Sequence, residues 1–452
     1  VTPAPLLAVL VLALPAAPTY VLNLGAGTEA RVREPGDPTA DNPDPERAFD
    51  ADLGARAELG IEFDRVNLTL SYEPLLSFTN FTEQNTSALL HTAGLGSSMK
   101  FKRAELALSQ RISYGQRTFT SLSGGGATVQ ATDGANQPPT TDGSGTIDGG
   151  GMLPGGTGGT GGTGGSQTGT TQQVGLLPGA TTADYYSSET SGSLSYTLSR
   201  RSTLGFSLTY FAGGGTDEDS RLTVPFAFGP SIGVQYRYAL TRVDGLSTTA
   251  QAEWRSTSTA STLPDTESEI AGVMESWQRR WGPNTDSELG VGLSVIPGFT
   301  GDSTFAVHPV AKAAASHSEI FGPHLNKNRP KLTTRVSIET TVQIDQLTGL
   351  ADRRLILGAG VSWVRTDWTI QGLVDHQRSI GDAGNSGNSV VVTNGDIGAR
   401  YEIIDELDLG FGYRAQYQTI GNPTTIAASA APDGWRTVAY VNLTLTLDPI
   451  DL

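Results

Sequence analysis

The constraint that bears hardest on this chain is a two-residue hydrophobic period that restarts after breaks of two alternating kinds. Residues 49–63 separate completely. Phe49, Ala51, Leu53, Ala55, Ala57, Leu59, Ile61 and Phe63 take the odd positions, and Asp50, Asp52, Gly54, Arg56, Glu58, Gly60 and Glu62 the even ones. Residues 332–344 divide in the same way, with Val336, Ile338 and Val342 set against Arg335, Ser337 and Glu339. So do residues 407–417, with Leu409, Phe411 and Tyr413 against Asp408, Gly412 and Arg414. Successive strand residues point to opposite faces, whereas a helix would bring together positions three and four apart. The breaks take turns: short at Asp64, longer near 79–87, short again at Lys102. Long amphipathic strands joined alternately by tight turns and longer polar loops spell an all-β, antiparallel transmembrane β-barrel.

About eighteen such segments run from 19–33 to 434–447. The alternation is weaker near 88–101, 267–281 and 304–319, which leaves sixteen strands open. An even number puts both termini on one side. Short turns are expected at Asp64, Lys102, 200–202, 241–245, 282–285, Thr366 and 404–405, with a longer one at 322–329. These are expected to face the periplasm, and the longer loops the outside. Phe63, Phe101, Trp363, Trp368 and Tyr401 lie near the short turns; Phe49, Phe78, Tyr210, Trp254, Tyr417 and Trp435 lie near the loops. Two such groups match the aromatic girdles at the two membrane–water boundaries.

Composition narrows the solvent and the partners. Only 37% of the 452 residues are hydrophobic, and 56 are Gly, which suits a sheet with one polar face better than a large enzyme core. The formal charge of −16 argues against nucleic acid, whose phosphates require clustered Lys and Arg. The chain has no Cys, so it has neither a disulfide framework nor a thiolate metal site. Residues 6–17 (LLAVLVLALPAA) read as the apolar region and cleavage zone of a signal peptide spanning 1–17, with cleavage near Ala16 or Ala17. Val1 to Pro5 departs from that pattern in carrying no Lys or Arg. The rest, 18–452, reads as a single barrel domain.

These features together resemble a Gram-negative outer-membrane β-barrel of the porin-like size class, from residue 19 to the C-terminus. In the last strand Val441, Leu443, Leu445 and Leu447 alternate with Asn442, Thr444 and Thr446, similar to the assembly strand of such proteins. It departs from them in ending Asp448-Pro-Ile-Asp-Leu452 without a terminal aromatic. The resemblance implies a passive channel for small hydrophilic solutes, in contact with outer-membrane lipid and lipopolysaccharide and open to homo-oligomerisation. It also implies an alternative, a plugged barrel serving structure or surface contact. The candidate pore-lining residues are Asp50, Asp52, Arg56, Glu58, Glu62, Arg111, Arg237, Glu253, Arg255, Arg335, Glu339, Arg400, Glu402 and Arg414. Both signs are present, so they read either as charge rings that tune selectivity or as ion-paired ladders bracing the wall.

Other features carry less. Residues 122–183 form a Gly/Thr-rich tract that cannot bury enough apolar surface to order itself, and it reads as an extracellular loop that shields the barrel or folds inward as a gate. Gly25-Ala-Gly27-Thr-Glu-Ala30 resembles a dinucleotide fingerprint, but Arg31-Val-Arg-Glu-Pro35-Gly36 follows where the fingerprint needs a helix. His91, His308, His317, His324 and His376 have no metal-ligand spacing. Asp375 and His376 are the one adjacent acid–base pair, on opposite faces if both lie in a strand. Asn67, Asn80 and Asn85 open Asn-x-Ser/Thr triplets of a kind frequent in Thr-rich chains. The acidic stretches 37–46 and 217–219 read as solubilising loop charge or as cation sites bridging lipopolysaccharide. No catalytic residue, metal site or cofactor is assigned.

Overall fold

A computed structural model describes residues 18–33, 48–80, 85–119, 181–258, 265–297, 306–322, 329–344, 351–380, 389–421 and 434–451. The expected signal peptide, residues 122–180 of the Gly/Thr-rich tract and the acidic stretch 37–46 fall outside these residues, whereas residues 181–183, expected in the loop, lie in a strand. The strands are β1 Thr19–Arg33, β2 Ala48–Glu62, β3 Val66–Asn80, β4 Asn85–Lys100, β5 Ala104–Phe119 and β6 Thr181–Ser199. Next come β7 Ser202–Gly215, the short helix α1 Glu218–Thr223, β8 Phe226–Ala239, β9 Asp244–Ser258, β10 Thr266–Gly282, β11 Thr285–Ile296 and β12 Ala306–Ile320. The chain continues through β13 Lys331–Ile344, β14 Ala351–Arg365, β15 Trp368–Ser379, β16 Ser389–Ile404, β17 Leu407–Gly421, β18 Gly434–Thr446 and a stub, β19 Ile450–Asp451.

Each long strand pairs antiparallel with its neighbour in sequence, and β18 closes on β1 over Gly25↔Thr446 to Arg33↔Val438. The count is eighteen, and the weakly patterned β4, β10 and β12 are full members. Beyond the last long strand, β19 continues along β1, pairing Leu22↔Ile450 and Val21↔Asp451, so the C-terminal segment extends the seam. Even the shortest, β11 and β15 at 12 residues, exceed the about 9–11 residues a tilted strand needs to cross a bilayer. Eighteen strands about 4.8 Å apart and tilted about 40° give a backbone cylinder roughly 35 Å across, too wide for inward side chains to fill.

The two faces differ as a membrane barrel requires. The outward set is apolar and bare: Val291 is 69% exposed and Ile397 60%, with Leu53, Leu208, Val336 and Phe411 on the same face. A continuous belt of this kind is incompatible with water and calls for lipid. Aromatic contacts mark both rims. Trp368 packs on Tyr401 (ring centres 4.7 Å) and Phe411 (6.5 Å) at the short-turn end, and Tyr417 on Trp435 (5.2 Å) at the other. No helix among the described residues is long and apolar enough to cross a membrane.

The turn asymmetry is as expected except at one place. Short turns close tightly, as where the Phe63 N–H donates to Val66 O (2.9 Å) and the Phe101 N–H to Ala104 O (2.7 Å). The break near 79–87 is shorter than its sequence suggests. β3 and β4 stay in register as far as Asn80↔Asn85, because Thr, Asn and Ser hydroxyls and amides do not stop a ladder whose backbone bonds are intact.

Candidate functional site

Register places all fourteen candidate residues on one face. Directly opposed residues share a face, so a polar line can be followed from strand to strand. Asp52 faces Glu29, Glu29 faces Asn442, Asn442 faces Gly410 and Gly410 faces Arg400. On the other side Glu58 faces Ser71, Ser71 faces Gly94 and Gly94 faces Arg111. Arg237 faces Ser247, Ser247 faces Ser276 and Ser276 faces Gly290, which faces Lys312 opposite Glu339. This face is opposite the bare apolar belt, and it holds the buried polar side chains Asp50 (1% exposed), Glu29 and Asp52.

Most of its charge is neutralised within the wall. Arg414 reaches Asp396 at 2.8 Å and Glu29 at 3.6 Å, with its guanidinium 4.2 Å from the Tyr440 ring centre. Tyr440 Oη donates to Asp396 (3.4 Å), while Arg31 pairs with Asp52 and lies 3.7 Å from Glu29. Arg56 pairs with Glu58 (2.5 Å) and Glu73 (3.6 Å), and Arg111 with Glu73 (2.8 Å). Arg255 holds Glu253 at 2.7 Å and Lys312 holds Glu288 at 3.0 Å. Arg400 pairs with Asp408, which register sets opposite Glu402. Glu62 faces Asn67, and Arg335 stands between Ser316 and Gly360.

The sequence-based set omits Glu29, Arg31, Glu73, Asp396 and Tyr440, which complete these clusters. Their signal was present: Glu29 and Arg31 alternate with Ala30 and Val32, and Asp396 keeps the parity of Arg400. Glu73 keeps the parity of Ser71 within the expected segment 65–78, and its neighbour Pro74 sits in the ladder opposite His91.

Inward side chains lie flat on the wall because glycines receive them. A Cβ at Gly398 would come within 2.7 Å of Tyr440 Oη, one at Gly290 within 2.7 Å of Ser276 Oγ, and one at Gly358 within 2.8 Å of Ser337 Oγ. A Cβ at Gly410 would overlap the Asn442 amide. An aromatic or polar side chain laid across a glycine of the next strand covers backbone without projecting into the interior.

Two segments at the loop end fold inside this wall. β13 parts from β12 after Thr340↔Ala311, where the Ala311 N–H donates to Thr340 Oγ1 (2.8 Å). Beyond that point Val342, Ile344 and Ala351 form a buried cluster with Ile270 and Ile296, inward residues of β10 and β11, and Arg353 Nη2 donates to Pro309 O (3.4 Å). The end of the β13–β14 hairpin therefore lies against the inner surface of β10–β12. The second segment is the connection carrying α1. Val224, like inward Leu90, packs on inward Ala183 and Tyr185, and Asp184 N donates to Ser220 Oγ (3.0 Å). Gly214 turns the chain at φ +149°, and its neighbour Gly215 has no room for a side chain against the backbone of Ser220.

Asp217, a candidate loop acid, caps α1: both carboxylate oxygens accept from Ser220, from its N–H and its hydroxyl, each at 2.8 Å. Those bonds hold the carboxyl below its ordinary range. Asp375 accepts from Asn394 (2.9 Å) on the inner face, whereas His376 bonds Thr393 (2.8 Å) on the outer one. The two do not form an acid–base pair.

No curated protein matches the chain. Solved structures similar to it include CdiB from Acinetobacter baumannii (11% identity, TM-score 0.39, 94% of this chain and 60% of that one). The FrpB iron transporter from Neisseria meningitidis, F3-3 variant, is 9% identical, with a TM-score of 0.47 over 89% of this chain and 62% of that one. OccAB3 from A. baumannii is 10% identical, with a TM-score of 0.41 over 95% and 99%. The chain thus spans less than two thirds of CdiB and of FrpB. Residues 15–400 match the model of an exopolysaccharide export family. With an eighteen-stranded barrel and a match over most of its length, the chain belongs to the EpsX exopolysaccharide export family.

Proposed function

We propose that the barrel is the outer-membrane conduit of an exopolysaccharide export system. In this reading the apolar belt sits in the outer membrane of a Gram-negative bacterium, against lipid and lipopolysaccharide. The short turns and both termini face the periplasm, and the longer loops face outside. The observation that carries the reading is the polar face that closes around all eighteen strands of an export-family chain. A polysaccharide is a hydrated polyol. A wall of Ser, Thr, Asn and Gln offers exchangeable hydrogen bonds, and charges already paired within the wall do not trap a sliding chain.

A passage of this width also admits small hydrophilic solutes, so passive diffusion accompanies export unless the mouth is covered. The inward-folded end of β13–β14 favours a partly covered mouth, and hence a smaller conductance than eighteen strands alone would give.

Purified protein in planar bilayers tests the reading. Defined conductance steps, blocked transiently by malto-oligosaccharides, are expected. An electrically silent protein, or deletion cells that still deliver polysaccharide to their surface, would overturn it.

A further inference from the structure

Resting on the conduit reading, and adding a substrate class to it, we infer that Arg335 is a binding station for carboxylate-bearing sugars of the passing polymer. Five other arginines of the candidate set, Arg56, Arg111, Arg255, Arg400 and Arg414, each hold a carboxylate of the wall. Arg335 is different: among the described residues it has no ion pair and no hydrogen bond. That sets it apart from those five arginines, in a chain with 46 acidic against 30 basic side chains.

Position explains the exception. Along β13 the next acid is Glu339, four residues or about 13 Å away. Across the sheet, register runs from Arg335 through Ser316 to Asp286, two strands or about 10 Å off, and Asp286 lies 3.3 Å from Arg280. In the other direction it runs through Gly360 and Leu373 to Asp396, three strands off and held by Arg414. The guanidinium thus stands in a gap of the charge pattern, on the polar face.

The surroundings suit a sugar. Ser316 and Gly360 flank Arg335, and Ser337 lies flat over Gly358. Leu373 leans over Gly360, where a Cβ would meet its Cδ1 at 3.7 Å. A shallow floor of glycine and hydroxyl with one aliphatic edge accepts the mixed polar and C–H surface of a pyranose. A planar, permanently charged fork above it takes a carboxylate in two parallel hydrogen bonds. A neutral sugar gains only the floor; a uronate gains the fork as well.

The test is titration calorimetry of the full chain in detergent micelles with trigalacturonate and, separately, maltotriose. The wild type is expected to bind trigalacturonate about tenfold more tightly or better, an advantage that falls with added salt. Arg335→Gln should remove the preference and Arg335→Lys should keep part of it. Equal affinity for both sugars in the wild type, or a preference that survives in Arg335→Gln, would overturn the assignment. Heat-modifiable gel mobility reports whether each variant has folded, and the Lys variant gives a second reading if the Gln variant has not. A protein that is silent in bilayers but shows the Arg335-dependent preference would sink the conduit and leave this site standing.

Discussion

Ile344 of β13 and Ile270 of β10 share one buried cluster, although by strand parity Ile344 belongs to the outer face of its strand and Ile270 to the inner face of its own. The contact exists because the hairpin end leaves β12 and comes to lie inside the barrel. It gives the loop-end mouth a fixed apolar fastening on one side.

Loosening that fastening is expected to show in the current. Ile270→Ala deletes a buried side chain, at a cost of about 2–4 kcal/mol. Single-channel recordings should then show larger mean conductance and more open-state noise than the wild type. A trace indistinguishable from wild type would mean that the hairpin end does not narrow the passage.

Arg414 is the hub of the inner-wall network at the seam, touching Glu29, Asp396 and the Tyr440 ring. Removing it leaves carboxylates without their cation, which costs about 3–5 kcal/mol where such a network is buried. Arg414→Ala should lower the temperature at which the folded band disappears from a gel. The triple change Arg414→Met, Glu29→Gln, Asp396→Asn should recover most of that loss. Equal melting of the wild type and Arg414→Ala would show that the network does not brace the seam.

Gly410 and Asn442 form a size-complementary pair across β17 and β18, since a Cβ on Gly410 would overlap the Asn442 amide. Gly410→Ala alone should destabilise by about 1–3 kcal/mol. Asn442→Ala in the same chain should relieve most of it, because the obstacle is a side chain and not backbone. Urea unfolding from lipid vesicles measures the coupling, and simple additivity of the two changes would refute it.

The cap of α1 carries a pH signature with a definite sign. Bonds from Ser220 hold the Asp217 carboxyl below its ordinary value, so their support is in force above the ordinary carboxylate range. It is lost as pH falls through the lowered value. The protection of the Ser220 amide, its exchange rate relative to the intrinsic one at each pH, should fall over that acidic interval and hold near neutrality. In Asp217→Asn the rate should follow only the intrinsic pH dependence; persistence of the step there would assign it to another group.

Period and break length in the chain settled the approximate number of strands, the facing of most strand residues and which ends carry the short turns. A two-residue period is a local property, and an unbroken run such as Phe49 to Phe63 writes it directly into the chain. It even held in β4, β10 and β12, where small and polar residues dilute the alternation but the backbone ladder does not depend on them.

Tertiary structure alone decided the partnerships. Period two sets Glu29, Asp396 and Arg414 on one face, but closure of β18 on β1 and the stagger between strands bring them to a common point. It also sends Val342 and Ile344 toward lipid, while the parting of β13 from β12 turns them onto the inner wall. Arg335 joins the same class, because its lack of a partner depends on which acids its neighbours in the closed sheet have already claimed. The reason is physical: facing is fixed by successive backbone dihedrals, whereas contact across strands depends on register, closure and bending, which are set by residues hundreds of positions apart.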